Sequence, residues 1–215
     1  MKSVLISIKP KWCELIASGK KTIEVRKTRP KCDTPFKCYI YCTLSELLTR
    51  SHYNSKIYVA TNKKYQNELE RVENTTLSGK VIGEFICNKI DRLAVCGYNN
   101  SDMKLRRVDD NLTAYNLDYD YLNKCRLSLG ELKNYANGSK LFGWHISDLV
   151  IYDKPKELSE FYKYCGDNPY CDGCNAHYYS NTECGLEDYC CSKIDGCRPV
   201  NRPPQSWCYV EEIEE

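Results

Sequence analysis

The chain has 215 residues, 42% of them hydrophobic and 28% charged, with a formal net charge of +2. That length can bury a proper core, so one domain with an appendage is expected rather than two full domains. No run approaches the roughly eighteen apolar residues of a membrane helix, and the start lacks a secretory pattern, so a cytoplasmic protein without membrane partners is expected. Charge is unevenly spread: residues 160–215 hold four basic and eleven acidic side chains, a net of −7, which leaves the preceding part at +9. A basic body of this kind suits a phosphate-bearing partner.

Val4-Leu-Ile-Ser-Ile8 is β-prone, and Pro10 stands at a position suited to the first turn of a helix. Trp12, Leu15 and Ile16 fall at i, i+3 and i+4, the spacing of a one-sided helix of about two turns. Gly19 caps it, because glycine takes the left-handed conformation at a helix end without steric cost. In the strand that follows, Ile23 and Val25 share one face, and Thr22, Glu24 and Arg26 the other. Lys21, Glu24 and Arg26 converge beside a helix end, either as a solvated face with surface ion pairs or as a site. Gly19-x-Lys21-x-x-Glu24-x-Arg26, preceded by the strand, Lys9-Pro10 and the helix, resembles the signature of the ASCH domain family, small β-barrels of the PUA-like class. The resemblance implies an α+β fold, a small PUA-like β-barrel with flanking helices, and a cleft suited to a nucleotide or RNA.

Residues 27–35 form a basic loop pinned by two prolines. Phe36 to Thr43 alternates tyrosine with smaller apolar residues, as a barrel strand with two unlike faces does, and Thr43 at its end is either a turn former or a hydroxyl facing the cleft. Residues 44–76 are polar and weakly patterned, an expected insertion with helix candidates at 45–48 and 65–71. Ser78 to Cys87 is the next firm strand and resembles the central strand of the family. There Gly83 allows close approach of a ligand or a backbone, with Glu84 beside it.

Residues 91–125 read as a long connection or a small hairpin, with Lys104-Leu-Arg-Arg107 as the basic cluster. A capping box at Ser128-Leu-Gly-Glu131 opens a helix that Gly138 closes. Leu141 to Tyr152 resembles the closing strand of the family. Alternation sends Trp144 and Ile146 inward there and leaves His145 and Ser147 on the other face, where His145 is either a satisfied structural residue, the commoner role of a lone strand histidine, or a cleft residue. A short helix is expected over 155–161.

Fifteen cysteines are present. Seven are scattered through the first 130 residues and read as buried thiols acting as small hydrophobes. Beyond residue 164 eight more crowd a segment too poor in apolar residues to fold without a cross-link. Cys171-x-x-Cys174 has the spacing of a zinc knuckle, with Cys184, Cys190 and Cys191 as completers and His177 as a substitute; disulfides and free thiols are the alternatives. The domain reading is therefore 1–158 for the ASCH-like body, with insertions at about 44–76 and 91–125. Residues 159–215 form an irregular Cys-rich extension whose terminal Trp-Cys-Tyr-Val docks back as an edge strand.

The Arg-Pro-Pro-Gln-Ser-Trp-Cys-Tyr-Val ending, with Gly-Trp-His-Ile-Ser upstream, resembles phage and prophage members of the family, which implies a bacterial host. Ligand-binding candidates are Lys9, Lys21, Glu24, Arg26, Thr43 and His145, for a nucleoside, nucleotide or RNA. A hydrolase would use Lys21 to polarise a carbonyl and Glu24 or Glu84 to activate water. In the amidohydrolase branch of the family a threonine stands at the Glu24 position, so this chain departs from that branch. A phage protein that sequesters a host factor or a signalling nucleotide is the third reading.

Overall fold

The structure, a computed structural model, describes residues 2–51, 54–60, 74–96, 104–164 and 199–213. β1 (Lys2–Ile8), α1 (Pro10–Ala17), β2 (Ile23–Arg26) and β3 (Phe36–Cys42) follow in order. Next come β4 (Leu47–Ser51), β5 (Ile57–Ala60), β6 (Asn74–Thr76), β7 (Val81–Cys96), β8 (Lys104–Val108) and β9 (Ala114–Asn116). The helices α2 (Tyr119–Cys125) and α3 (Leu129–Ala136) precede β10 (Leu141–Lys156) and β11 (Trp207–Glu211). No helix among the described residues is long and apolar enough to cross a membrane.

β1 is an unbroken apolar run because both of its faces are covered. Val4, Ile6 and Ile8 pack with Cys13 and Ile16 of α1, while Leu5 packs with Tyr39, Phe161 and Val210 on the other side. The main sheet runs β11-β1-β3-β7-β10-β2, with β8 on β7 and β9 on β8. β1 and β3 are parallel, and the other pairs of this sheet are antiparallel. β7 and β10 pair along most of their length, with three register breaks. Such bulges bend a strand and increase its twist, so the first part of β7 serves β3 and the last part serves β8.

Arg26 on β2, the last strand of that order, donates to the Ser7 carbonyl of β1 at 2.5 Å. The sheet therefore curls until its β2 end faces β1. The class is α+β as expected, and among the described residues a side chain, rather than a ladder, joins β2 to β1.

Local signals decide several elements. Gly19 has φ +70° behind α1. Ser128 and Glu131 form the expected capping box, although Asn137 (φ +45°) takes the helix-ending position ahead of Gly138. β11 pairs with β1 as the expected edge strand.

Other expectations change. Residues 45–48 are a turn running into β4, and β5-β4-β6 make a second sheet. Leu48 there is fully buried in the α1 core, and that burial overrides a weak helical preference. The second helix candidate, 65–71, lies outside the described residues. The segment read as a connection or hairpin holds the rest of β7, the β8–β9 hairpin and α2. Asp118 starts α2 by accepting from the Tyr121 amide at 2.8 Å. A single 3-10 turn, Leu158–Glu160, stands where a short helix was expected.

At Gly83 it is backbone, not ligand, that comes close: a Cβ there would meet the Val150 carbonyl oxygen and, at 3.0 Å, the Ile151 Cα of β10. Cys13, Cys38, Cys42, Cys87 and Cys125 are buried free thiols. Burial pushes the Cys13 and Cys38 thiols well up, and Cys87 and Cys125 to about 12, so they pack as small hydrophobes. Cys171, Cys174, Cys184, Cys190, Cys191 and His177 lie outside the described residues.

Candidate functional site

The turn from α1 into β2 puts three charged side chains almost out of solvent. Lys21 is 2% exposed, Glu24 5% and Arg26 9%. Charges are rarely buried to this degree unless paired. Alternation along β2 sends Ile23 and Val25 into the core formed with α2 and α3, so Glu24 and Arg26 must face the other way.

The Lys21 ammonium donates to the carbonyls of Ile23 (2.9 Å) and Cys125 (2.6 Å) and stands 3.3 Å from Glu24 Oε2. Its three N–H groups thus meet three acceptors. The Cys125 carbonyl belongs to the last turn of α2, where a cation completes an otherwise unsatisfied helix end. Arg26 Nε stands 3.0 Å from Glu24 Oε1 while its Nη2 reaches Ser7. Two cations enclose one carboxylate, and the cluster keeps one net positive charge.

This cluster lies in a cavity of about 420 Å³, within the range of small-molecule sites. Trp12, Val25, Leu127 and Tyr135 supply apolar and aromatic walls; Lys9 and Thr43 also line it. The Lys21 ammonium is 5.1 Å from the centre of the Trp12 ring. The remaining wall comes from the far end of the chain, Pro203 to Gln205. Ser7 holds this strap twice, its hydroxyl donating to the Pro204 carbonyl at 2.7 Å and its amide to the Ser206 carbonyl at 2.9 Å.

Of the residues singled out from the sequence, Lys9, Lys21, Glu24, Arg26 and Thr43 come together here. His145 and Glu84 do not line this cavity. His145 Nε2 is 2.7 Å from Asp91, which also pairs with Lys89 at 3.0 Å. Glu84 pairs with Lys37 at 3.2 Å and accepts from the Tyr152 hydroxyl at 2.5 Å. Ser7, Leu127, Tyr135 and the strap were not anticipated. Two of them had signals: Ser7 is the polar member of an apolar strand, and Tyr135 is an aromatic outside the buried Leu132–Ala136 stripe of α3. Among the described residues no three His, Cys, Asp or Glu side chains are grouped to hold a metal ion.

No protein-family model matches the chain, and no curated protein matches it. Solved structures similar to it include the ASCH protein from Zymomonas mobilis, at 16% identity and a TM-score of 0.48, covering 98% of this chain and 88% of that one. A tyrosine-to-phenylalanine variant of the same protein gives 16% identity and 0.49, covering 99% and 92%. What the cleft can do is therefore read from its own residues.

Proposed function

We propose that the cleft binds a nucleobase-bearing ligand, either a free nucleoside or nucleotide or a single RNA base. The observation that carries this reading is the buried Lys21–Glu24–Arg26 cluster at the floor of a cavity walled by Trp12 and Tyr135. Aromatic side chains take the faces of a base, worth about 1–3 kcal/mol per base stacked. Glu24 accepts from an exocyclic amine or a ribose hydroxyl, and the net positive charge favours a phosphate or a carbonyl edge. Because Lys21 spends its N–H groups on protein acceptors, holding is favoured over turnover.

Calorimetric titration with nucleosides, nucleotides and short RNAs tests this. Saturable binding that Trp12→Ala weakens roughly tenfold is expected, read on variant protein that circular dichroism shows to be folded, because the Trp12 ring also packs against the main core. A panel that shows no binding sinks the reading, and product released from acetylated nucleosides or RNA would establish the hydrolase instead. For the extension we propose one structural zinc held by Cys171 and Cys174 with partners from Cys184, Cys190 and Cys191; native mass spectrometry that finds no metal overturns it.

A further inference from the structure

We propose that a second groove, built on the β7–β8–β9 side, binds phosphates of a nucleic-acid strand whose base occupies the cleft. This rests on the reading of the cleft given above. The groove has a volume of about 430 Å³, and charged residues crowd its lining, among them Arg29, Lys89, Arg92 and Arg107 against Asp91, Asp109 and Asp110.

One of the three acids there is already paired with cations. Asp91, 6% exposed, is held by His145 and Lys89, which also consumes Lys89. Asp109 closes its own turn, accepting from the Thr113 amide at 2.8 Å and the Tyr115 hydroxyl at 3.1 Å. Arg29 uses Nε alone, on the Pro30 carbonyl at 3.2 Å. Arg29, Arg92 and Arg107 have no ion-pair partner among the described residues, and the acids that face them are Asp109, whose neutral donors leave its charge in place, and Asp110, so the groove keeps one net positive charge. Three guanidinium groups remain in a concave surface, and their planar forks match phosphate oxygens. The Arg107 guanidinium also stands 5.4 Å from the centre of the Tyr115 ring, which is 44% exposed and gives a neighbouring base a surface to stack on.

The two cavities adjoin along β2 and β10. Phe142, which lines the groove, is in register with Arg26, which lines the cleft. Arg29 follows Arg26 by three residues, at most about 11 Å of extended chain. A strand with one base in the cleft therefore passes the groove within a few nucleotides. Buried, aromatic and polar groups suit the cleft to a base; exposed Arg29 and Arg92 with half-buried Arg107, none of them in an ion pair among the described residues, suit the groove to a backbone.

The test compares a labelled single-stranded hexaribonucleotide with a nucleoside monophosphate on the full chain, using wild type and the Arg92→Gln/Arg107→Gln double variant. The wild type is expected to prefer the hexamer about tenfold or more. The double variant is expected to lose roughly that factor, with the salt slope for the hexamer falling by about 1.4, while mononucleotide affinity stays. Arg29→Gln, in a loop, should shift the hexamer in the same direction and guards against a misfolded double variant. Equal affinities for the two probes, or hexamer binding untouched by these variants, overturns the groove and leaves the cleft reading standing. A parallel loss of mononucleotide binding in Arg29→Gln also overturns it. Failure of the wild type to bind either probe overturns both readings.

Discussion

Replacing Lys21 with methionine keeps the length of the side chain and removes its ammonium. In the structure that ammonium serves the buried carbonyls of Ile23 and Cys125 at 2.9 and 2.6 Å and faces Glu24 at 3.3 Å. Each buried carbonyl that loses its partner costs about 1–3 kcal/mol. Part of this is offset, because the ammonium no longer has to be taken out of water, and Glu24 keeps Arg26 at 3.0 Å. The expected net loss is about 3–5 kcal/mol, the usual range for removing one partner of a buried ion pair.

For a chain of this size each kcal/mol moves the midpoint by about 2–4 °C, so Lys21→Met should melt roughly 6–20 °C below wild type. Circular dichroism melts on both proteins read this directly. A difference under about 3 °C would refute the reasoning, since Lys21 would then not be tying α2 to β2. If the drop is seen, loss of ligand in a Lys21 variant does not by itself report on binding chemistry. Trp12→Ala is the cleaner probe.

Gly83→Ala places a methyl group against the Val150 carbonyl and the Ile151 Cα, and should cost about 1–3 kcal/mol in denaturant titration; a loss under about 0.5 kcal/mol would show that β10 yields freely there. Asp91 carries a pH signature. Burial raises its carboxyl, but hydrogen bonds with His145 and Lys89 outweigh burial and hold it below the ordinary carboxylate range. Its contribution is therefore present above the unfolded value, near pH 4, and lost as pH falls through the native one. Wild type should exceed Asp91→Asn by about 1–3 kcal/mol at pH 7, a gap that closes in acid; a gap constant from pH 7 to pH 3 contradicts this. Ser7→Ala removes the hydroxyl that holds Pro204, and should cost about 1 kcal/mol and weaken ligand binding together. Unchanged affinity would mean that the strap does not shape the cleft.

Where the chemistry was local, the sequence was readable. The cap at Gly19 depends on one residue's φ, the capping box on two residues three apart, and the face of β2 on a two-residue period. These signals located α1, α3, β2 and the charged cluster. α2 was missed because seven residues with two buried side chains carry too little periodicity to register. Residues 45–48 were misread because what decides Leu48 is the α1 core above it, distant in the chain. His145 and Ser147 were correctly set apart from Trp144, but alternation names a face without naming what that face meets. For His145 it meets Asp91 and not the cleft.

The sequence by itself determined which side chains share the Lys21–Glu24–Arg26 face and that a helix must end just before them, since backbone geometry forces both. Only the tertiary structure decided that this face is buried. Burial required the sheet to curl until Arg26 reached Ser7, α2 to bring the Cys125 carbonyl to Lys21, and the Pro203–Gln205 strap to cross from the far end of the chain. Each of those contacts closes more than a dozen residues of intervening chain, and no local period records them.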